Sequence, residues 1–373
     1  MKTLVQIVLR GGADGLSLVA PVFSPDYHRL RPSLALSLDA AESPRRALAT
    51  SSPFGLHPEL APIASWLDER SLSIAVAVGT DDDTRSHFEA QDRLEQGNAG
   101  RESAGSGWVA RLLGARGSSK SPLRAVAVGR ALPESLRGVA ASAVPSLVEL
   151  LEGAPSGSEL DAILGLYAAP EDAVDRELQE AARTSADALA SLRESGHADP
   201  PSGFPRTPLG ERFATAATLL GQAEAIGLEV LTIDHDGWDS HFTQAESLAE
   251  NVRDLAQGLA ALRTSLGDRW DDTTVVVTTE FGRRVLENVS FGTDHGRASV
   301  ALVAGGGLRL QPFVGRWPGL RDVDLEGPGD LRVTTDVRTV LANVLEDRLG
   351  VDSRIVFPKL RERVCGALTG TFD

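Results

Sequence analysis

Six short runs of aliphatic and β-branched residues punctuate the chain, at residues 4–9, 72–78, 123–128, 228–233, 273–278 and 299–303. None alternates strictly between apolar and polar positions. Each therefore predicts a strand buried on both faces, as in a parallel sheet covered by helices. Between the runs, apolar residues recur at three- and four-residue spacing, which predicts helices at 213–226 and 245–266. The second of these carries Leu248, Val252, Leu255, Leu259 and Leu262 on one stripe. Strands alternating with helices predict a doubly wound α/β fold, a three-layer αβα sandwich with a mainly parallel central sheet.

Two stretches depart from that rhythm. Residues 143–192 are rich in Ala, Glu and Leu and predict helix without any chemistry-bearing motif, while residues 194–208 are rich in Pro and Gly and predict a linker. Together, 143–208 reads as a helical insert and linker within one domain spanning 1–373. No internal repeat or low-complexity tract is visible.

Charge narrows the partners. With 52 Asp and Glu against 37 Lys and Arg, the formal net charge is −15. That balance argues against nucleic acid and anionic lipid, whose phosphates need a basic face, but leaves room for a local pocket that binds one small anion. Cys365 is the single cysteine, so an intramolecular disulfide and a thiolate metal cluster are excluded. No run approaches the roughly 20 apolar residues of a membrane span. The first residues enter a strand directly with no export leader, so the expected location is cytoplasmic as given, or periplasmic should a leader have been removed.

Polar residues with chemical potential collect where the predicted strands end, the edge at which open α/β sheets bind ligands. After the first strand comes Arg10-Gly11-Gly12-Ala13-Asp14-Gly15, where the ordinary structural role of Asp14 is a helix cap. The second strand leads into Thr84-Arg85-Ser86-His87-Phe88-Glu89. Ser86 with Glu89 forms a capping-box pattern, and a hydroxyl at a helix N-terminus also suits a nucleophile facing an anion. Thr84 and Ser86 are both candidates there, with Arg85 placed to hold anionic oxygens; His87 could reach the site or point away. The fourth strand ends in Asp234-His235-Asp236-Gly237-Trp238-Asp239-Ser240-His241, a density of carboxylate and imidazole that suits zinc, manganese or iron. Thr279-Glu280-Phe281-Gly282-Arg283-Arg284 and Thr293-Asp294-His295-Gly296 repeat the pattern. Singly, Glu280 pairs with an arginine one turn on, and Asp294-His295 makes a turn; together the loops favour a metal site. His28, His57 and His197 read as surface, cap and linker residues, and Trp238 and Trp317 as packing.

In this order the loops resemble a bacterial family of uncharacterised proteins, the domain of unknown function fifteen-oh-one. The motifs that carry the resemblance are residues 9–15, 55–58, 84–88, 237–241, 280–283 and 293–296, with 315–320 and 334–336 further on. That family is distantly similar to the alkaline phosphatase and arylsulfatase superfamily, which implies an alkaline-phosphatase-like sheet with metal ions at its strand ends beside a nucleophile. The resemblance implies Asp14, Asp239, His241, Glu280 and His295 as metal ligands, with Asp294 beside them, and Ser86, or else Thr84, as nucleophile. Arg10, Arg85 and Arg283 would bind the anion, and His87 or His295 would carry the leaving-group proton. Phe281 stands where the superfamily has a histidine ligand. The implied cofactor is a divalent ion (zinc, manganese, calcium or magnesium), and the implied activity is hydrolysis or transfer of a small phosphate or sulfate ester. The alternative is a non-catalytic scaffold or binding protein of the same fold.

Overall fold

The structure, a computed structural model, describes residues 1–40, 44–98, 105–119, 121–166, 173–194, 202–307, 309–360 and 368. Among them, the strands in chain order are β1 (Thr3–Leu9), β2 (Val19–Ala20), β3 (Gly55–Leu56), β4 (Leu72–Gly79), β5 (Ala125–Val128), β6 (Ser142–Ala143), β7 (Val230–His235), β8 (Thr273–Thr279), β9 (Ser299–Gly305), β10 (Phe313–Val314) and β11 (Thr335–Asp336). The six apolar runs are β1, β4, β5, β7, β8 and β9. Nine strands form one sheet in the order β10-β4-β9-β8-β1-β7-β5-β6, with β11 also paired to β4. β1 lies at its centre, with Ile7 level with Ile233 of β7 and Val277 of β8.

Alternation along β1 divides the core into two apolar layers. Val5, Ile7 and Leu9 join one layer, Leu4 and Val8 the other. Phe213 and Leu219 from the helix Pro208–Gly221, with Leu255 and Leu259 from Gln244–Leu266, cover the first face. Trp108 and Leu112 from Trp108–Ala115, with Val340 and Leu345 from Val337–Leu349, cover the second. The predicted mostly parallel sheet clad in helices is therefore present.

One strand runs the other way. β9 pairs antiparallel with both β4 and β8, while the remaining pairings in the sheet are parallel. A parallel return needs a crossover that is usually helical, and residues 280–298 contain no helix. The reversal matters for the site. Val277 is level with Leu302 and Thr274 with Gly305, so β9 begins where β8 ends. The segment before β9, which holds His295, thus reaches the same edge as the segments that follow β1, β4, β7 and β8.

The described residues of the 143–192 block are mostly helical, as its composition predicts, with helices Leu147–Gly153, Gly157–Leu166 and Ala173–Glu194. Leu151, Ala188 and Leu192 anchor it to the first apolar layer. The linker residues 195–201, including His197, and Cys365 lie outside the described residues.

Close approach of two segments at the site edge explains the glycine pair after β1. Gly11 has φ +119°, and a Cβ there would collide with the backbone nitrogen of Asp239. Gly11→Ala is expected to destabilise the protein by about 1–3 kcal/mol through both strain and collision, measured by denaturant unfolding.

Candidate metal centre

Four side chains from three segments converge on one point at the edge of the sheet where β4 and β7 end. Asp239 follows β7, His241 lies two residues further, His87 opens the helix His87–Gln96 after β4, and His295 precedes β9. Asp239 Oδ1 lies 3.0 Å from His241 Nε2 and 3.0 Å from His295 Nε2, and the two Nε2 atoms are 3.0 Å apart. His87 Nε2 lies 3.4 Å from Asp239 Oδ2. A tetrahedral ion with bonds of about 2.0–2.1 Å has ligand–ligand edges near ~3.3 Å, so these spacings fit one small cation. His87, Asp239 and His295 offer donor atoms all within 4.8 Å of one another.

Two of the three imidazoles are held from behind by a hydrogen bond. His87 Nδ1 is 2.9 Å from Glu280 Oε1, and His295 Nδ1 is 3.0 Å from the backbone oxygen of Arg85. His241 Nδ1 sits 3.7 Å from Asp294 Oδ1. Orientation of a ligating imidazole through its other nitrogen is the usual support of a metal site.

Protonation makes the case for a cation. The Arg85 carbonyl can only accept, so the His295 ring proton sits on Nδ1 and Nε2 turns a lone pair toward Asp239. Burial pushes the His295 pKa below its ordinary value, against the pull of Asp239 and the Arg85 carbonyl, which disfavours a second proton. Asp239 is ionised: burial alone raises its pKa, but the buried Arg283 guanidinium bonded to Oδ1 works against it, and the net shift is downward. A lone pair facing a carboxylate oxygen at 3.0 Å is repulsive unless positive charge lies between them. His87 Nε2 is likewise buried with no hydrogen-bond partner.

Several residues named from the sequence have other work. Asp14 is buried and does not reach the cluster. It caps the helix Gly15–Leu18 and accepts from Leu16 N (3.2 Å), Ser17 Oγ (2.7 Å), Gln244 Nε2 (2.5 Å) and Arg31 (2.5 and 3.0 Å), which leaves no oxygen for a metal. Glu280 accepts from Gly11 N (2.8 Å), Gln91 Nε2 (3.2 Å) and Thr279 Oγ1 (3.0 Å) besides holding His87, so it supports a ligand rather than acting as one. Asp294 accepts from Asn288 Nδ2 (3.2 Å) and stands behind His241.

The three arginines are engaged as well. Arg10 pairs with Asp234 (2.8 Å) and with Glu95. Arg85 pairs with buried Asp330, and its backbone is left-handed at φ +57°. Fully buried Arg283 donates to Gly12 O (2.7 Å), Thr293 O (3.0 Å), Gly11 O, Trp238 O (3.1 Å) and Asp239 Oδ1 (2.6 Å), so it clamps the loops together and is not open to an anion. Thr84 donates to Asp82 (2.8 Å) and accepts from Ser86 N (3.2 Å), a turn-holding role. Ser86 occupies the N-cap position of the helix His87–Gln96, yet its hydroxyl makes no capping bond, so the expected capping box is not formed.

Phe281 fills the floor between the imidazoles, 4.9 Å from the rings of both His87 and His295. Trp238 is buried against His235, and His57 caps the turn Pro58–Leu60 through Nδ1, both structural as read from sequence. Gln91, Arg31 and Asn288 were not singled out. Only Gln91 carried a signal, because it lies one helical turn after His87 on the same face.

Residues 46–366 match the family described as "Protein of unknown function (DUF1501)". The chain belongs to that family. No curated protein matches the sequence. A similar solved structure is the crystal structure of the C-terminal periplasmic domain of EcEptC from Escherichia coli in complex with Zn, at 9% identity and a TM-score of 0.39, covering 97% of this chain and 87% of that one. In this DUF1501 chain, no described helix is long and apolar enough to cross a membrane.

Two buried histidines make stability sensitive to mild acid. Burial pushes the pKa of His57 and of His235 down to about 4 from 6.5, with nearby Arg253 and Arg212 adding to the shift. The unfolded chain then binds these protons first, so the stabilisation is complete above about pH 6.5 and is lost as pH falls toward 4, by about 3 kcal/mol per histidine. His235→Phe is expected to remove about half of that loss, read from denaturant unfolding of both proteins at pH 7 and pH 4.5.

Proposed function

We propose that this chain is a divalent-metal-dependent hydrolase or transferase of phosphate or sulfate esters, built as one alkaline-phosphatase-like α/β domain with residues 143–208 as an insert. The observation that carries this is the convergence of Asp239 with ring nitrogens of His87, His241 and His295 at the ligand-binding edge of the sheet. These four residues would hold the ion, and their nitrogen donors favour zinc or manganese over calcium or magnesium. A bound ion of this kind neutralises charge that develops on ester oxygens and lowers the pKa of a neighbouring hydroxyl.

The chain's own part falls to Ser86. It precedes His87 directly and stands at the N-terminus of a ten-residue helix with its hydroxyl unspent on capping. The open N–H groups and positive end of that helix favour an anionic oxygen beside it. Arg85 ties this turn to the ligand set, since its carbonyl positions His295 while its guanidinium is fixed on Asp330. Glu280, steadied by Gly11 and Gln91, positions His87.

Turnover of 4-nitrophenyl phosphate and 4-nitrophenyl sulfate by zinc- and manganese-loaded protein tests the proposal. Ser86→Ala is expected to lower kcat by at least about 1,000-fold with metal affinity unchanged. One observation favours the alternative of a non-catalytic metal-binding protein: Arg10, Arg85 and Arg283 are all spent on carboxylates, so none clamps an anionic substrate. Stoichiometric metal with no turnover of either ester would select that alternative.

A further inference from the structure

Large apolar side chains are exposed on the segments that supply the metal cluster and on the loop hydrogen-bonded to one of them. Phe88, next to His87, is 86% exposed, and Phe242, next to His241, is also exposed. Leu286, Val289 (98% exposed) and Phe291 crown the neighbouring loop. That loop is laced to the His241 segment: Thr243 N donates to Ser290 O (3.0 Å), Gln244 N to Phe291 O (2.9 Å) and Asn288 Nδ2 to His241 O (3.0 Å). Phe291 has φ +59°, a left-handed conformation in which a bulky side chain is an outlier and Gly or Asn is at ease. The fold thus holds a phenylalanine in a strained, solvent-facing position where packing gains little from it, a combination that points to a ligand.

We propose that these five side chains form an apolar collar that receives the alkyl or acyl chain of an amphiphilic ester, whose anionic group is held at the Asp239 and histidine cluster. The inference rests on the ester reading above and names its substrate class. Two observations select this occupant. Five side chains of this size offer on the order of 500 Å² of apolar surface, short of the roughly 800 Å² per partner that a stable dimer buries. The net charge of −15, with Arg10, Arg85 and Arg283 already paired to carboxylates and Arg284 facing Asp294, provides no basic face for an anionic membrane. A single amphiphile satisfies the cation-binding cluster and the collar together, because Phe88 and Phe242 directly follow His87 and His241 in the chain and the 288–291 loop is bonded to the His241 segment.

Calorimetric titration of the zinc-loaded full chain with ethyl phosphate and with monomeric decyl phosphate tests this. Decyl phosphate is expected to bind at least about 30-fold more tightly. In the double variant Val289→Ser, Phe291→Asn, that preference is expected to fall to within about 3-fold. Its affinity for ethyl phosphate should be unchanged and its Tm undiminished, since asparagine accepts the left-handed backbone. Equal affinity for the two esters in the unaltered protein overturns the collar and leaves the metal centre standing. Failure of the zinc-loaded protein to bind either ester overturns the ester reading itself. Dimers that the double variant dissociates, or zinc-independent flotation with phosphatidylcholine vesicles, would give the collar a different occupant and overturn the proposal.

Discussion

His295→Ala is expected to weaken zinc binding at least 100-fold, a loss of roughly 2.7 kcal/mol, while leaving the fold intact. Removing this imidazole deletes a nitrogen 3.0 Å from both Asp239 Oδ1 and His241 Nε2. The fold survives because His295 is partly exposed and its side chain makes one hydrogen bond outside the cluster, to the Arg85 carbonyl. Zinc added to the unaltered protein should raise Tm, because an ion that binds only the folded state contributes about 2.7 kcal/mol at a hundredfold excess over Kd. The variant should show no such rise. Glu280→Gln separates ligand from support, since it weakens the hold on His87 without removing a ligand; a reduction of about 10–100-fold is expected. Equal zinc affinity in all three proteins, measured by calorimetric titration at pH 7, would dissolve the proposed centre.

The second large effect lies beneath the site. Arg31→Met is expected to destabilise the protein by about 3–5 kcal/mol in denaturant unfolding, because it strands the Asp14 carboxylate in the interior. Arg31 is fully buried and donates to both Asp14 oxygens, to Ser17 Oγ (3.1 Å) and to the backbone oxygens of Val285 (2.8 Å) and Arg284 (2.9 Å). Burial alone would raise the Asp14 pKa; the Arg31 pair more than offsets it, so the carboxyl stays ionised below its ordinary value. Asp14→Asn combined with Arg31→Met should recover a substantial part of the loss, because no uncompensated charge then remains. Additive losses in the double variant would show that the two residues act independently. Zinc affinity should change little in either variant, which distinguishes this buried pair from the centre above it.

Much of the candidate centre was legible one loop at a time. Asp239 with His241, and Asp294 with His295, stood out because acidic and imidazole groups collect after apolar runs. For Asp14 the structure shows ordinary local chemistry rather than the ligand role that the family resemblance implies: the residue caps its helix. Glu280 illustrates why a ligand set resists reading from sequence. A carboxylate that binds an ion and one that steadies a ligating histidine have the same composition and the same position after a strand, and differ only in what their oxygens face. The arginines followed the same rule, since a guanidinium near a site clamps an anion only when no carboxylate of the protein reaches it first.

The apolar runs marked the six long strands, and the amphipathic stripes marked helices over 213–226 and 245–266, because burial on one or two faces writes its period directly into the chain; the short strands and the helices Trp108–Ala115 and Val337–Leu349 were decided by tertiary packing. Strand direction was not written there. β9 is as apolar as its neighbours, yet its reversal is what carries His295 to the same edge as Asp239 and His87. Nor did the sequence assign partners among charges, because pairing depends on distances of a few ångströms between residues as far apart as Arg85 and Asp330, 245 positions along the chain, and only the folded chain brings those groups within reach.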